Sequence, residues 1–271
     1  MYVLRIAGSD TADLVETLST HLAERGRVAT ITARNDPSDT EVTAGRSTPR
    51  TAGVATSYEL REEGWVGTGT NKTLAETLDE LAPTHDYALV EGFDSAGIPQ
   101  VVLGDHDGNG ETLATAKHGD EIAIEELIAA LESTEPYVTL GSLIRRAKSS
   151  PQADRAGAIA TFTGRVREKD SPEDDPTELL EFETYEGVAE QRFVTIREEL
   201  EAREGVYEVL MHHRTGVIES GADIVFVVVL AGHREEAFRT VEDGINRLKD
   251  EVPIFKKEVT GKEEFWVHTR V

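Results

Sequence analysis

Arg247-Leu248-Lys249-Asp250-Glu251-Val252-Pro253-Ile254-Phe255-Lys256-Lys257-Glu258 joins a helical pattern to a strand, with Pro253 at the break. Upstream, Ala237, Phe238, Val241, Ile245 and Leu248 recur at helical spacing and predict a helix from about Arg234 to Glu251. Downstream, Ile254–Val259 and Glu264–Val267 read as strands. Three of the chain's eight lysines fall within this stretch, although the formal charge of the whole is -24. So local a cluster of ammonium groups fits a bound anion. It also fits a solvated helix end, with Lys249 complementing the negative pole of the dipole. Taken alone, the stretch leaves both readings open.

The acid excess is spread along the chain, with 12 basic and 25 acidic residues in 1–150 and 16 and 27 in 151–271. An even excess with sparse lysine predicts a protein that stays hydrated in strong salt, as in a halophile. It argues against a nucleic-acid partner, which the field would repel. There is no cysteine, which excludes disulfides, thiolate metal sites and a cysteine nucleophile or persulfide on this chain. Met1–Ile6 reads as a short strand rather than the apolar centre of a signal peptide. The longest apolar run, Ile224 to Gly232, is too short to span a bilayer. The expectation is a cytoplasmic protein with no membrane partner.

At 271 residues the chain accommodates two domains. In the first half, strands at Tyr2–Ala7, Arg27–Thr32, Tyr87–Val90 and Val101–Leu103 alternate with helices around Leu14, Leu18 and Leu22, over Thr73–Leu81 and over Glu121–Leu131. That order predicts an α/β domain with a mainly parallel sheet. Residues 33–56 read as a long loop and Asp105–Gly110 as a turn. Glu132-Ser133-Thr134-Glu135-Pro136 is the expected linker between domains at 1–131 and 137–271. In the second half, a helix capped by Thr139 precedes a strand at Gly157–Gly164. Glu168–Thr177 reads as mobile. A strand at Leu179–Tyr185, a helix at Val188–Arg203 and strands at Tyr207–His213 and Asp223–Leu230 complete it.

Basic residues gather at element ends in this half. Arg165 and Arg167 share a face while the chain stays extended. His233 and Arg234 open a helix, where backbone N–H groups favour an anion. Lys249 lies ~24 Å from His233 along that helix, so one small ligand does not reach both ends of one helix: either the two ends come from different subunits or one end serves a partner. On the following strand only one of Lys256 and Lys257 faces the site. Phe162, Phe238 and Phe255 are expected in the core. His212 and His213 look like a metal pair, yet lack a third ligand at suitable spacing, so they read as structural and no metal site is expected.

Five separated motifs carry a family resemblance: Gly157-Ala158-Ile159-Ala160-Thr161-Phe162-Thr163-Gly164-Arg165-Val166-Arg167, Glu183-Thr184-Tyr185-Glu186, His212-His213-Arg214-Thr215-Gly216, Gly232-His233-Arg234-Glu235-Glu236-Ala237-Phe238 and Leu248 to Glu258. In this order they resemble MoaE, the catalytic large subunit of molybdopterin synthase, over roughly residues 137–270. The resemblance implies an α+β hammerhead-type domain that dimerises through this subunit. It implies conversion of cyclic pyranopterin monophosphate to molybdopterin, with two sulfurs delivered as thiocarboxylate by a small MoaD-like carrier in a heterotetramer, and no cofactor. Carried over by motif, Lys249 and Lys256 are the catalytic lysines. Arg165, Arg167, His233 and Arg234 bind the anionic substrate, with Lys257 and Glu258 at its margin and Lys257 itself exposed. A lysine flanked by cations and partly desolvated is suited to proton exchange.

Residues 1–130 resemble MobB, the P-loop adaptor of molybdenum-cofactor biosynthesis, through the opening strand, Ser57–Gly64 and Leu89-Val90-Glu91-Gly92-Phe93. The loop itself is degenerate. Gly8-Ser9-Asp10-Thr11-Ala12-Asp13 lacks the second glycine, the lysine and the following hydroxyl, and its two carboxylates repel phosphate. Gly67–Thr73 fails as a substitute on spacing. The alternative function is a non-catalytic adaptor that binds a cofactor intermediate or a nucleotide through the first domain.

Overall fold

Alternating apolar runs and helical stripes in the first half fold as a parallel sheet with helices on both faces. The computed structural model describes residues 1–33, 55–62, 64–93, 97–106, 110–169, 171, 175–184, 187–260 and 264–267. The chain divides into two units, Met1–Tyr137 and Val138–Val271. Residues 34–54 of the expected loop at 33–56, the centre of the Asp105–Gly110 turn, and Tyr185 and Glu186 of one motif lie outside the described residues.

The first unit runs β1 (Tyr2–Ala7), α1 (Ala12–Ala23), β2 (Val28–Thr32), β3 (Thr56–Arg61), β4 (Gly64–Gly69), α2 (Leu74–Leu81), β5 (Tyr87–Glu91), β6 (Gln100–Leu103), β7 (Thr112–Ala116) and α3 (Ile124–Glu132). Its main sheet has the order β2-β5-β1-β6-β7, parallel throughout. Leu14, Leu18 and Leu22 form the buried stripe of α1. With Leu127, Ile128 and Leu131 of α3 they cover Leu4, Ile6, Leu89 and Leu103. The opposite sheet face, Val3, Ala88 and Val90, packs against Leu78 of α2. Strands buried on both sides explain the continuous apolar runs.

Three local readings change. The helix expected from Glu121 begins at Ile124, after a 3-10 turn at Gly119–Glu121. β7 is a sheet edge with a weak apolar pattern. Residues 56–69 form a hairpin that pairs Thr56 with Gly69 and Arg61 with Gly64. Its glycines imitate loop chemistry, and Tyr58, Leu60 and Trp65 are exposed.

The second unit contains α4 (Leu140–Lys148), β8 (Ala158–Arg165), β9 (Thr177–Thr184), α5 (Val188–Glu201), β10 (Val206–His213), β11 (Gly216–Glu219), β12 (Asp223–Ala231), α6 (Arg234–Glu251), β13 (Ile254–Thr260) and β14 (Glu264–Val267). Two antiparallel sheets form, β10-β12-β8 and β11-β9-β13-β14. β12 is central in the first and is buried from Val225 to Ala231. Its alternate residues serve two cores: Val225, Val227 and Val229 meet Ile196, Leu200, Val241, Ile245 and Leu248 of α5 and α6, while Phe226, Val228 and Leu230 meet Leu143 and Ala147 of α4. A smaller core joins the other sheet through Val166, Leu180, Phe182 and Ile218, with Ile254 packed against it.

Phe162 packs against the α5–α6 core, as expected. Phe238 and Phe255 do not belong to the core, being 65% and 42% exposed. The buried stripe of α6 is Ala237, Thr240, Val241, Gly244, Ile245 and Leu248, which leaves Phe238 outside it. Phe255 follows the inward Ile254 on a strand and so faces the other way.

His212 stacks on Phe226 with ring centroids 6.4 Å apart, and His213 meets Phe182 edge-on at 4.9 Å. His213 Nδ1 lies 2.7 Å from the Arg214 carbonyl, so Nδ1–H donates there. Burial pushes both imidazoles down to about 4; for His212 the nearby Arg214 and His213 charges act in the same direction. Because the unfolded rings titrate near 6.5, the folded protein holds fewer protons between these values. The neutral rings' contribution is complete above pH 6.5 and is lost as the pH falls towards 4, on the order of 3 kcal/mol for each ring. Urea unfolding in high salt should therefore show a steeper loss of stability from pH 7 to 4.5 in the parent chain than in His213→Asn. Equal slopes would show that His213 is not buried as the neutral form.

Candidate anion-binding site

The antiparallel sheet sorts the candidate cations by end. Ala158 pairs with Ala231 at one end of β8–β12, and Arg165 pairs with Asp223 at the other. His233 caps α6 just beyond Ala231, with extended backbone and no side-chain capping bond, and both His233 and Arg234 are exposed. α6 then travels 18 residues before Lys249's turn passes through Val252 and Pro253 into β13. Within one chain, the helix holds His233–Arg234 and Lys249 apart by ~24 Å.

Arg165 and Arg167 approach β13 through the residue between them. Val166 is 3% exposed and lies in the core that includes Ile254. β8 ends at Arg165, so the two arginines do not continue along one strand face. Arg165 Nε donates to the Gly221 carbonyl at 3.0 Å and lies 3.5 Å from Asp223 Oδ1. Its guanidinium is committed to the turn before β12. Arg167 is exposed two residues further on, and the carbonyl of the next residue, Glu168, accepts from Thr177 N–H at 2.7 Å.

Thr177 links this exit to the lysines. Its hydroxyl donates to Glu258 Oε1, and Glu258 Oε2 lies 3.3 Å from Lys256 Nζ. Lys256 stands opposite Phe182 across β9–β13, on the face to which Ile254 and Glu258 belong. The charge that Lys256 meets is thus the Glu258 carboxylate, rather than the flanking cations expected from sequence. Lys257 points the other way, with Nζ 3.6 Å from Glu181 Oε2. Its side chain is 23% exposed against 36% for Lys256, which corrects the expectation of an exposed Lys257. Long aliphatic stems lie along the sheet while their ammonium groups reach a carboxylate.

Arg247 fixes the helix end. Its Nε and Nη2 meet the two oxygens of Glu251 at 2.6 and 3.2 Å, and Nη2 is 2.6 Å from Glu199 on α5. The hydrogen bond to Glu251 raises the arginine's pKa, and the same bond holds the Glu251 carboxyl low. Sequence reasoning did not assign Arg247 this clamp, nor Thr177 its place beside Glu258. The i,i+4 spacing of Arg247 and Glu251 was the available signal for the first.

In the first unit, Gly8 takes φ 125° where β1 ends, and a Cβ there would stand 2.2 Å from the Leu103 carbonyl oxygen. Thr11, at the start of α1, makes no side-chain cap; its hydroxyl donates to Glu91 Oε1 at 2.6 Å, and Thr32 donates to Glu91 Oε2 at 3.4 Å. A carboxylate therefore stands at the helix start. Among the described residues, no group of three or more His, Cys, Asp or Glu side chains could hold a metal, and no helix is long and apolar enough to cross a membrane.

Residues 134–251 match the family described as "MoaE protein". A probable molybdopterin synthase from Haloferax volcanii is 54% identical over 271 residues, covering all of both chains. The molybdopterin synthase catalytic subunit of Pyrococcus abyssi is 34% identical over 124 residues, 46% of this chain and 82% of that one. A solved molybdopterin synthase from Staphylococcus aureus is 33% identical, with a TM-score of 0.40, covering 43% of this chain and 83% of that one. With a full-length relative at 54% identity and the MoaE match lying over the unit that carries the lysine junction, the chain belongs to the MoaE family of molybdopterin synthases.

Proposed function

We propose that the second unit converts cyclic pyranopterin monophosphate to molybdopterin in the cytoplasm, taking two sulfurs from the C-terminal thiocarboxylate of a MoaD-like carrier. The observation that carries this reading is the junction that presents Lys249 and Lys256 on either side of Pro253, beside the exit of Arg167. The absence of cysteine supports a sulfur that arrives on a partner. Each carrier enters as a thiocarboxylate and leaves as a carboxylate, its sulfur exchanged for a water oxygen.

Arg167, His233 and Arg234 bind the substrate's phosphate and Lys257 lines the margin. Arg165 holds the turn that aims Arg167. Lys249 and Lys256 stabilise the thiocarboxylate and the negative charge that develops as sulfur adds and the cyclic phosphate opens. The helix length supports a homodimer in which His233 and Arg234 complete the site of the neighbouring subunit, within a heterotetramer with two carriers. The first unit is a degenerate MobB-like domain that positions the synthase among its partners, and Glu91, bound by the Thr11 hydroxyl, sets a carboxylate at the start of α1 where a nucleotide phosphate would need a cation or a free N–H.

Purified chain, thiocarboxylated carrier and precursor in high salt should yield molybdopterin. Lys249→Ala should lower turnover by about 100-fold or more while carrier binding, followed by gel filtration, is retained. Full activity in that variant would remove Lys249 from the mechanism. For the first unit, calorimetry should detect no tight magnesium-dependent GTP binding. A saturable GTP isotherm would restore the adaptor reading.

A further inference from the structure

We infer that Glu258 is a positioning residue, holding the Lys256 ammonium in place and itself held by Thr177. The inference rests on the synthase reading of the lysine junction and sharpens it. A carboxylate cannot favour an anionic substrate by direct charge, so its place at the site needs another purpose. Its two oxygens have separate partners: Oε1 accepts from the Thr177 hydroxyl, and Oε2 faces Lys256 Nζ at 3.3 Å.

The backbone is shaped to make this contact. Glu258 pairs with Leu180 across β9–β13, so simple alternation would turn Thr177, three residues before Leu180, to the other face. The register shifts between Val259 and Thr260: Val259 pairs with Leu179 and Thr260 with Thr177, leaving Glu178 as an extra residue. This bulge returns Thr177 to the face of Glu258, where it is 6% exposed. Its N–H, bonded to Glu168, ties the same residue to the Arg167 exit.

Other groups around Lys256 do not duplicate the clamp. On its face β9 offers Phe182 and Leu180, and behind Phe182 stands the His213 ring. Glu181 pairs with Lys257, and Glu183 sits opposite Phe255, both on the far face. Arg165 is bound to Gly221 and Asp223. Among the described residues, Glu258 is the carboxylate recorded within ion-pair distance of Lys256.

The test pairs a turnover assay with one that needs no turnover, on the full chain. Trace acetic anhydride labelling, quantified by mass spectrometry, reads the reactivity of Lys256 against Lys72, whose own partner is Glu80. Glu258→Gln keeps an acceptor for Thr177 and should raise Lys256 labelling about threefold to fivefold, the worth of a partly exposed pair. Labelling of Lys249 should not change. Thr177→Val should move Lys256 in the same direction by less, and Thr177→Ser should restore the parental value. In the synthase assay, Glu258→Gln should lower kcat about 10- to 100-fold with KM for the pyranopterin within about twofold. A raised KM with intact kcat would make Glu258 a substrate contact and overturn the proposal. So would unchanged Lys256 labelling in a chain that turns over. No turnover in the parent chain would instead overturn the synthase reading, leaving the clamp a structural contact without catalytic meaning.

Discussion

Burial of Ile254 puts Lys256, which shares the face of Glu258, on the core side of β13. Pro253 ends α6 and starts β13 in one step, so the strand's phase is set by its first residue. With Ile254 against the core of Val166, Leu180 and Phe182, alternation places Lys256 and Glu258 on that side. Lys257 and Phe255 are left on the other. A slip of one residue would exchange the two ammonium groups and expose Ile254. The chemistry of the junction thus depends on a hydrophobic contact that carries no charge.

An acidic chain must also keep its few cations from being neutralised at random. Here several are assigned fixed structural partners. Arg247 joins Glu251 to Glu199 across α5 and α6, and Arg165 closes the turn at Gly221. The Arg247–Glu251 pair, with side chains 24% and 31% exposed, is partly buried, and such a pair is screened less by salt than an exposed one. The consequence is geometric: the last turn of α6 and the exit of β8 are held rigidly, and Lys249 and Arg167 are presented from fixed backbone.

Much of this was legible because it depends on local pattern. The leucine stripe of α1, the run of β12, the α6 stripe and the stop at Pro253 are short-range signals, and each produced the expected element. The hairpin at 56–69 and strand β11 were not legible, since their stability rests on pairing partners and turn context rather than on apolar alternation. Phe238 and Phe255 depart from expectation because interiors are apolar without every large apolar side chain being interior. The pairing of Glu258 with Thr177 required the bulge at Glu178, and a single extra residue in a ladder leaves no mark in composition.

The remaining constraint is length. α6 must cross the sheet to bury Ala237, Val241, Ile245 and Leu248 against β12, and a helix with that duty cannot be shortened without losing the core. Its two ends therefore remain ~24 Å apart, with His233 and Arg234 at one and Lys249 at the other. A single chain cannot gather these cations around one small anion. A two-fold axis can, because an isologous contact brings the start of one subunit's helix to the end of its partner's. On the proposed synthase reading, the same packing that makes the core of the second unit is what calls for a second subunit to complete the site.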